Sequence, residues 1–398
     1  MKLYNSLTKT KQQFVPLYNK QVSMYVCGIT PYDTTHLGHA FTYVFFDVLQ
    51  RYLTFQGYQV NYTQNVTDID DDLLKKAQET GQNWQTLGQF WTDKFLQDMT
   101  ALNVSSPTHY VKATDSIHQI INMSQVLIQK GLAYHRQGHV YFEIKKINNY
   151  GKLSKYTRGQ MLILSRERGA NPGDPLKKDP LDFLLWQRST PGEPAWDSPW
   201  GPGRPGWHIE CSAMATRYLG DQIDIHGGGK DLIYPHHDSE IAQSESFTNK
   251  SPFVKYWLHT AMVMHQGEKM SKSLGNLVMV ADLLKKYSAN AIRWVLLAHH
   301  YRMPWEFDEQ EMKKAEKNVS LLQSLVSKQE DAQLKSTKIP FLSTFIKLMN
   351  DDLNTPAVMG LLCQLARKIQ HQQKKNQATK IKNSLKTIML ALGFCIEP

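Results

Sequence analysis

The pattern of apolar runs between residues 24 and 63 constrains the fold more than any other feature of the chain. Residues 24–27 form a short β-branched and aromatic run that ends at Cys27, and turn residues follow at 28–31. An apolar stretch over residues 40–55 has the length of a helix, and residues 58–63 resemble a second strand. Strand, turn, long helix and strand make a βαβ unit, so we predict an α/β fold with a parallel sheet.

Sequence patterns after residue 63 indicate further helices and a separate inserted segment. Helical patterns cover residues 73–102 and 117–130, and a strand pattern at 140–144 starts a different module. Repeated prolines between residues 172 and 205 interrupt any long helix. The apolar run at 183–186 would anchor this segment to a core, so we expect an ordered insertion rather than a linker.

After the insertion, the strand pattern resumes at residues 222–226, and a helix is predicted from about 235 to 247. From Met312 onward, apolar residues recur at spacings of three and four, which is typical of helices with one buried face. The C-terminal part is therefore predicted to be helical.

Composition restricts the class of protein. With 398 residues, of which 41% are hydrophobic and 21% charged, the chain is expected to be globular, with two or three domains. Its four cysteines are too few and too scattered for a disulfide framework, and the N-terminus lacks the apolar core of a secretion signal. The apolar runs are shorter than the roughly 20 residues that a membrane span needs. We expect a cytoplasmic protein without membrane segments.

The formal net charge of +10 favours a polyanion as partner, because basic residues that neutralise phosphates release counterions. Binding of ATP, in a cell whose proteins are generally basic, would explain the same excess. Charge alone therefore leaves nucleic-acid binding open.

Two imidazoles and two ammonium groups are candidates for binding phosphate. His36 and His39 precede a predicted helix, whose free N–H groups and positive dipole end favour an anion. Lys269 and Lys272 lie in a Gly- and Ser-rich segment, which can move and bring both ammonium groups onto a pyrophosphate. Taken separately, the first pattern also fits a structural turn, and the second a solvated basic loop. The pair, which flanks two βα halves, is more specific.

Cys27, Cys211, His236 and Glu240 are candidates for a metal site. Cys27 ends a strand, Cys211 begins a later element, and His236 and Glu240 are four residues apart, on one face of a helix. Two sulfurs, an imidazole and a carboxylate would suit zinc. The spacing is not that of a zinc finger, however, and isolated cysteines are often buried as small hydrophobic residues. Spacing alone leaves both interpretations open.

Several motifs resemble those of class I aminoacyl-tRNA synthetases. The two signature patterns are His36-Leu37-Gly38-His39 and Lys269-Met270-Ser271-Lys272-Ser273. Five more motifs, spread over the chain, narrow the resemblance to the cysteinyl-tRNA synthetase family: Tyr25-Val26-Cys27-Gly28, Asn65-Val66-Thr67-Asp68-Ile69-Asp70-Asp71, Gly206-Trp207-His208-Ile209-Glu210-Cys211-Ser212, His226-Gly227-Gly228-Gly229-Lys230-Asp231-Leu232 and Pro235-His236-His237.

The resemblance implies an α/β fold: a Rossmann-like class I synthetase catalytic domain, an inserted connective module, a C-terminal α-helical bundle and no separate anticodon-binding domain. The two halves of the catalytic domain would span residues 1–115 and 206–260, on either side of a connective insertion at 116–205. A stem-contact region with the Lys-Met-Ser-Lys-Ser loop would span 261–305, and the helical domain 306–398. A monomer is expected.

By the same resemblance, the chain would activate L-cysteine with ATP and Mg²⁺ and would hold one Zn²⁺ per chain. The metal ligands would be Cys27, Cys211, His236 and Glu240. The catalytic residues would be His36, His39, Lys269 and Lys272. ATP would be bound by Thr30, His36, Gly38, His39, Gly227, Gly228, Gly229, Lys269, Ser271 and Lys272. L-cysteine would be bound by Gly28, Thr67, Trp207, His226 and, through its ammonium group, Asp231. Trp207 would also fit as a core aromatic residue, and the three glycines as a tight turn.

The resemblance leaves three candidate functions, two of which differ in the acceptor of the activated cysteine. The first is transfer to the 3′ end of tRNA(Cys), and the second is transfer to glucosaminyl-inositol, the amino-sugar acceptor of the closely related mycothiol-pathway cysteine ligase. The third is a synthetase-like protein that has lost catalysis. Because both signature motifs and all four candidate metal ligands are present, the third is the least favoured.

Different features of the sequence favour the first and the second acceptor. Glu240, His226 and the positive charge favour tRNA, since the sugar ligase typically lacks the carboxylate. The segment from Met161 to Gly169 resembles the sugar ligase instead. The chain also ends where an anticodon-binding domain would start, which predicts that tRNA charging depends weakly on the anticodon. We expect tRNA(Cys) to be the acceptor.

Overall fold

The computed structural model describes residues 1–32, 35–270, 274–326 and 339–396. Its strands are β1 (Lys2–Asn5), β2 (Thr10–Gln13), β3 (Gln21–Ile29), β4 (Gln59–Val66), β5 (His109–Lys112), β6 (Ala133–Arg136), β7 (His139–Phe142), β8 (Phe183–Arg188), β9 (Gly203–Pro205), β10 (Ile223–Gly229), β11 (Val254–Thr260), β12 (Val263–His265), β13 (Glu268–Lys269) and β14 (Trp305–Glu306). Its α-helices are α1 (Leu37–Phe55), α2 (Asp71–Thr80), α3 (Trp84–Ala101), α4 (Ile117–Gln129), α5 (Arg158–Glu167), α6 (Trp207–Leu219), α7 (Asp238–Thr248), α8 (Val280–Leu284), α9 (Ala289–Ala298), α10 (Glu309–Val326), α11 (Leu342–Met349), α12 (Thr355–His371) and α13 (Lys375–Ala391).

Five parallel strands form the central sheet, in the order β11-β10-β3-β4-β5. From β3 the chain continues to β4 and β5 on one side, and it returns later to place β10 and β11 on the other. The strand order therefore switches between β3 and β10. In parallel sheets, ligands bind at the carboxyl ends of the strands at such a point. The predicted α/β fold with a parallel sheet is confirmed.

Helix α1 connects β3 to β4, and its apolar side chains are buried over most of its length. Its first turn is capped from both directions: the His36 side chain accepts a hydrogen bond from the Gly38 N–H (3.1 Å), and His39 Nδ1 accepts one from the His36 N–H (3.4 Å). Such caps satisfy N–H groups that have no partner within the helix. Although α1 is largely apolar, neither it nor any other helix that the structure describes is long and apolar enough to cross a membrane.

A second, antiparallel sheet with the order β6-β7-β8-β9 lies between β5 and α6 in the chain. The predicted strand at 140–144 corresponds to β7, and the apolar run at 183–186 lies in β8. Trp186 and Leu185 are fully buried in a core that also contains Ile209 of α6 and Ala242 of α7. The inserted segment therefore rests directly on the two helices that carry Cys211 and Glu240.

Three predicted elements have different bounds in the structure. The helical pattern over 73–102 is two helices, because Gly81 ends α2 in the left-handed conformation (φ 65°) and Asn83 caps α3. The strand predicted at 222–226 extends to residue 229, so its glycines lie in a strand rather than a turn. Glycine is required there, because a Cβ on Gly227 would lie 2.2 Å from the ring of Phe46. The helix predicted from 235 begins at Asp238, after a wider helical turn.

The C-terminal helices share one core with the central domain. Apolar side chains of α10, α12 and α13 belong to the same cluster as those of α1 and α9. The residues predicted to form the inner faces of α10 and α13 are buried, among them Met312, Val319, Leu385 and Ile388. The predicted C-terminal helical region is confirmed.

A buried ion pair joins α1, α9 and the C-terminal segment. Arg293 pairs with Asp47, and it also donates hydrogen bonds to the carbonyls of Leu102 (2.9 Å) and Leu392 (2.7 Å). Both charged side chains are fully buried. Burial raises the pKa of Asp47, but the guanidinium groups of Arg293 and Arg51 outweigh it, and the pKa is lowered. The pair therefore remains ionised inside the shared core.

Replacing Arg293 with methionine should lower the free energy of unfolding by about 1.5–3 kcal/mol, because the buried Asp47 carboxylate would lose one of its two guanidinium partners and keep only Arg51. Urea denaturation followed by circular dichroism measures this. The matched control is Lys285→Ala in the exposed pair Lys285–Asp282, which should change stability little. Equal stability of the two variants would contradict the proposed role of the buried pair.

Candidate active site

Four side chains converge at the point where the strand order switches. Cys27 lies near the end of β3, Cys211 on α6 and Glu240 on α7, and His236 lies in the turn before α7. One donor atom of each lies within 4.8 Å of the donor atoms of the others, and all four residues are buried. The structure thus brings together the residues proposed from the sequence as metal ligands.

The donor atoms face one another closely. Cys27 Sγ is 3.9 Å from Cys211 Sγ and 3.6 Å from Glu240 Oε1, and His236 Nε2 is 3.1 Å from Glu240 Oε1. On the far side of the His236 ring, its Nδ1 lies 3.0 Å from Nδ1 of His208. A hydrogen bond from His236 to His208 at this position leaves Nε2 of His236 available to a metal. Metal sites commonly fix a ligating imidazole in this way.

A second donor set shares two of these residues. Donor atoms of Cys27, Glu240, His226 and His237 also lie within 4.8 Å of one another. Cys27 Sγ is 3.3 Å from His237 Nε2, and Glu240 Oε2 is 2.9 Å from His226 Nε2. The set with Cys211 offers two sulfurs, which suit a borderline cation such as zinc. This favours the first set, with His226 and His237 beside it.

The charges of the cluster compensate one another. Burial opposes ionisation of Glu240, but the imidazoles of His226 and His236 outweigh it and lower the pKa of Glu240 to about 2. Burial likewise opposes a charged His236, but Cys211 and Glu240 raise the pKa of His236 to about 10. Burial also opposes ionisation of Cys211, but a hydrogen bond from Cys27 and the charge of His236 lower its pKa to about 6. Burial and the neighbouring Cys211 raise the pKa of Cys27.

Asn65 links the cluster to the proposed cysteine pocket. Its Oδ1 accepts a hydrogen bond from the Gly28 N–H (2.8 Å) and lies 3.6 Å from Cys211 Sγ, while its Nδ2 donates to Thr67 Oγ1 (3.3 Å). A Cβ on Gly28 would lie only 1.5 Å from the Asn65 carbonyl oxygen, so only glycine fits between β3 and β4 at this point. Gly28 and Thr67 are therefore held next to the candidate metal ligands.

Two other residues proposed to bind L-cysteine, Trp207 and His226, contact the same cluster. The ring of Trp207, the first residue of α6, lies 4.5 Å from the ring of His236. His226 is fully buried against Glu240. Asp231 follows β10, and its side chain is 34% exposed, so it lies at the rim rather than in the interior.

His36 and His39 lie at the N-terminus of α1 with their rings stacked, 3.8 Å between centroids. Gly38 allows this packing, and Thr30 lies just beyond the end of β3. The N–H groups of residues 37–40 already donate hydrogen bonds within the chain, so the positive end of the helix dipole and the two imidazoles are what favour an anion here. The structure therefore places these candidates for ATP binding together, at the same edge of the sheet as Gly227, Gly228 and Gly229.

The segment that follows the second signature motif is hydrogen-bonded to the first signature motif. The Leu37 N–H donates to the Val278 carbonyl (2.8 Å), and the Val280 N–H donates to the Thr35 carbonyl (3.0 Å). These two backbone hydrogen bonds hold residues 278–280 against the start of α1. The segment that follows the second motif thus lies against the first one, although the two motifs are far apart in the chain.

Lys269 lies at the end of β13 with an exposed side chain. Its carbonyl accepts a hydrogen bond from Asn276 Nδ2 (3.3 Å), which also donates to the His265 carbonyl (3.1 Å). These contacts join the two ends of the loop. Ser271 and Lys272, predicted to bind ATP, lie outside the described residues.

Sequence reasoning missed three residues of the cluster: His208, His237 and Asn65. Each lies in a motif that was singled out, but no spacing rule distinguishes a ligand from the group that supports it. His208 is three residues before Cys211, and His237 is adjacent to His236. A position within one helical turn of a candidate ligand is the signal that would have indicated the two histidines, whereas Asn65 in β4 has no such signal.

Two known families match this chain. The family described as tRNA synthetases class I (C) catalytic domain matches residues 13–317, and the DALR domain matches residues 344–396. The cysteine–tRNA ligase of Dehalococcoides mccartyi (strain BAV1) is 47% identical over 372 residues, which cover 93% of this chain and 80% of that protein. The cysteine–tRNA ligase of Legionella pneumophila (strain Paris) is 45% identical over 395 residues, which cover 98% and 84%.

Solved structures with a similar fold are more distant in sequence. The methionyl-tRNA synthetase of Mycobacterium tuberculosis, in complex with methionyl-adenylate, superposes with a TM-score of 0.66 at 16% identity, covering 94% of this chain and 90% of that one. A putative arginyl-tRNA synthetase of Campylobacter jejuni gives a TM-score of 0.59 at 15% identity, covering 96% and 95%. At these identities the likeness supports the fold alone.

Binding of Zn²⁺ at pH 7 should release about two protons. The pKa of Cys27 is raised and that of His236 is about 10, so both are protonated without metal and must lose their protons to act as ligands. Zinc affinity should therefore rise with pH, by roughly tenfold per unit for each released proton. Calorimetry in buffers of different ionisation enthalpy measures this number. Cys363→Ser should leave it unchanged, and zinc binding without proton release would contradict the assigned ligands.

Proposed function

The chain belongs to the cysteine–tRNA ligase family of class I synthetases, and we propose that it activates L-cysteine with ATP and transfers it to the 3′ end of tRNA(Cys). The observation that carries this proposal is the buried set of Cys27, Cys211, His236 and Glu240 at the switch point of the sheet. Its two thiols and its carboxylate point into the place where this fold binds its substrates.

The metal that fits this donor set is one Zn²⁺ per chain, held by Cys27, Cys211, His236 and Glu240. When bound, it would supply a direct ligand position for the substrate sulfur and would lower the pKa of the substrate thiol. Serine differs from cysteine by one atom, but its hydroxyl is a much poorer zinc ligand. A hydrophobic pocket separates such isosteres by only about 10²-fold, whereas a specific polar contact reaches ~10⁴–10⁵. This contact would replace an editing step.

The residues around the donor set would position the rest of the substrate. Gly28 and Thr67, fixed by Asn65, would bind the cysteine backbone, and Asp231 would bind the ammonium group. Trp207 and His226 would close the pocket around the side chain. Holding the carboxylate beside the α-phosphate of ATP would supply much of the rate enhancement, because alignment removes the entropy cost of the encounter.

The first signature motif would bind the triphosphate. His36, His39 and the positive end of the α1 dipole would stabilise the negative charge that develops as the carboxylate attacks the α-phosphate. Lys269 and Lys272 would add positive charge from the second motif, and Ser271 would assist them, with Mg²⁺ accompanying ATP. The hydrogen bonds of residues 278–280 to the start of α1 support this cooperation between the two motifs.

The acceptor is proposed to be tRNA(Cys). The relatives that are 43–47% identical carry the name cysteine–tRNA ligase, and Glu240 is present in the buried donor set. The net charge of +10 also suits a polyanionic acceptor. We further propose that the protein acts as a cytoplasmic monomer.

The purified, zinc-loaded protein should exchange pyrophosphate into ATP with L-cysteine and not with L-serine, by a factor of at least about 10⁴. Cys211→Ser should reduce this exchange by about 100-fold or more, because it removes one of the two sulfur ligands. Cys363→Ser, far from the donor set, is the matched control and should retain full exchange. Absence of exchange in the zinc-loaded wild type would show that the proposed activity is wrong.

The acceptor is tested by offering ATP and radioactive cysteine with either tRNA(Cys) or glucosaminyl-inositol. The proposal predicts cysteinylated tRNA and unmodified amino sugar. Charging of the amino sugar without charging of tRNA would instead assign the chain to the amide-forming branch of the family.

A further inference from the structure

Helix α5 of the inserted segment is attached to the turn that leads into the donor set. Ser165 Oγ lies 3.0 Å from the hydroxyl of Tyr234, and both residues are buried. At the other end of the helix, Arg158 forms two hydrogen bonds with the buried carboxylate of Asp179 (2.8 and 2.9 Å). The position of α5 relative to the active site is therefore fixed by contacts at both ends.

Arg168 follows the last residue of α5, and its side chain reaches Asp231. Its backbone N–H donates to the carbonyls of Leu164 (3.1 Å) and Ser165 (3.2 Å), which holds the residue against the helix end. Its Nη1 lies 3.6 Å from Oδ2 of Asp231, and the two side chains are 29% and 34% exposed. The guanidinium therefore lies next to the carboxylate that is proposed to bind the substrate ammonium group.

We propose that Arg168 lowers the affinity for L-cysteine by occupying Asp231 until the ammonium group of the substrate displaces it. This inference rests on the proposed function, because it takes Asp231 as the ammonium site. The guanidinium and the ammonium group are both cations, so their repulsion at one carboxylate weakens the binding of each. At 3.6 Å the ion pair is too long for a hydrogen bond, and both partners are partly exposed, so the substrate can break it at low cost.

The sign of the change in cysteine binding when Arg168 is removed distinguishes competition from a positioning role. If Arg168 competes with the substrate, removing it strengthens cysteine binding. If Arg168 instead held Asp231 in position for the substrate, removing it would weaken binding. A thiol without an ammonium group should be indifferent to Arg168, because it leaves the pair with Asp231 intact.

The test is the KM for L-cysteine in pyrophosphate exchange by the zinc-loaded protein. Arg168→Ala should lower this KM about two- to fivefold, the range expected for a partly exposed ion pair, with kcat and the KM for ATP unchanged. Arg166→Ala is the matched control, since Arg166 is an exposed arginine of the same helix end. Arg168→Gln repeats the test with a longer polar side chain, and thermal unfolding checks that each variant is folded.

Two further measurements complete the design. The inhibition constant of 3-mercaptopropionate, which has the thiol and the carboxylate but no ammonium group, should be the same for wild type and Arg168→Ala. In an Asp231→Asn background, Arg168→Ala should no longer change the KM for cysteine, because the two residues act through one contact.

The outcomes separate this inference from the function on which it rests. If Asp231→Asn leaves the KM for cysteine unchanged, the assigned ammonium site is wrong. If Asp231→Asn raises that KM but Arg168→Ala raises it or leaves it unchanged, the ammonium site stands and the competition is overturned. An equal effect of Arg166→Ala on the KM for cysteine would also overturn the competition, since any positive charge at this helix end would then explain the change.

Discussion

The central constraint on this structure is that it brings ionisable side chains together in its buried interior. Buried polar groups are costly unless each one finds a partner, and buried charges are costlier still. In this structure, the carboxylate of Glu240 lies between His226 and His236, and the thiols of Cys27 and Cys211 face each other. Such a cluster is stable only if the elements that carry it are held rigidly, and much of the remaining structure does this.

Several described parts of the chain hold these elements in place. The inserted sheet packs on α6 and α7, which carry Cys211 and Glu240. The C-terminal helices share a core with α1, whose first turn positions His36 and His39. Arg293 joins these helices to α1 through Asp47. The helical region is thus part of the structure that positions the active site, in addition to any contact that it makes with an acceptor.

The sequence predicts the fold class and the inner faces of the C-terminal helices because both follow from periodicity. It predicts the candidate ligand set only through family motifs, since only His236 and Glu240 share a local spacing and the two cysteines come from distant elements. The break at Gly81 was missed because apolar spacing continues on both sides of it. The extent of β10 was missed because three successive glycines usually indicate a turn, and only the packing of Phe46 against Gly227 shows why they lie in a strand. His208 and His237 contact candidate ligands but follow no spacing rule of their own, so the structure was needed to identify them.

The central claim is that the substrate sulfur binds to a metal held by the four buried donors. Protein loaded with Co²⁺ in place of Zn²⁺ tests it directly, because sulfur ligands to cobalt give strong absorption bands in the near ultraviolet. The account predicts that L-cysteine adds intensity to these bands, by about half if one sulfur joins the two of Cys27 and Cys211, while L-serine leaves the spectrum unchanged. A spectrum that responds equally to both amino acids, or to neither, would contradict the claim.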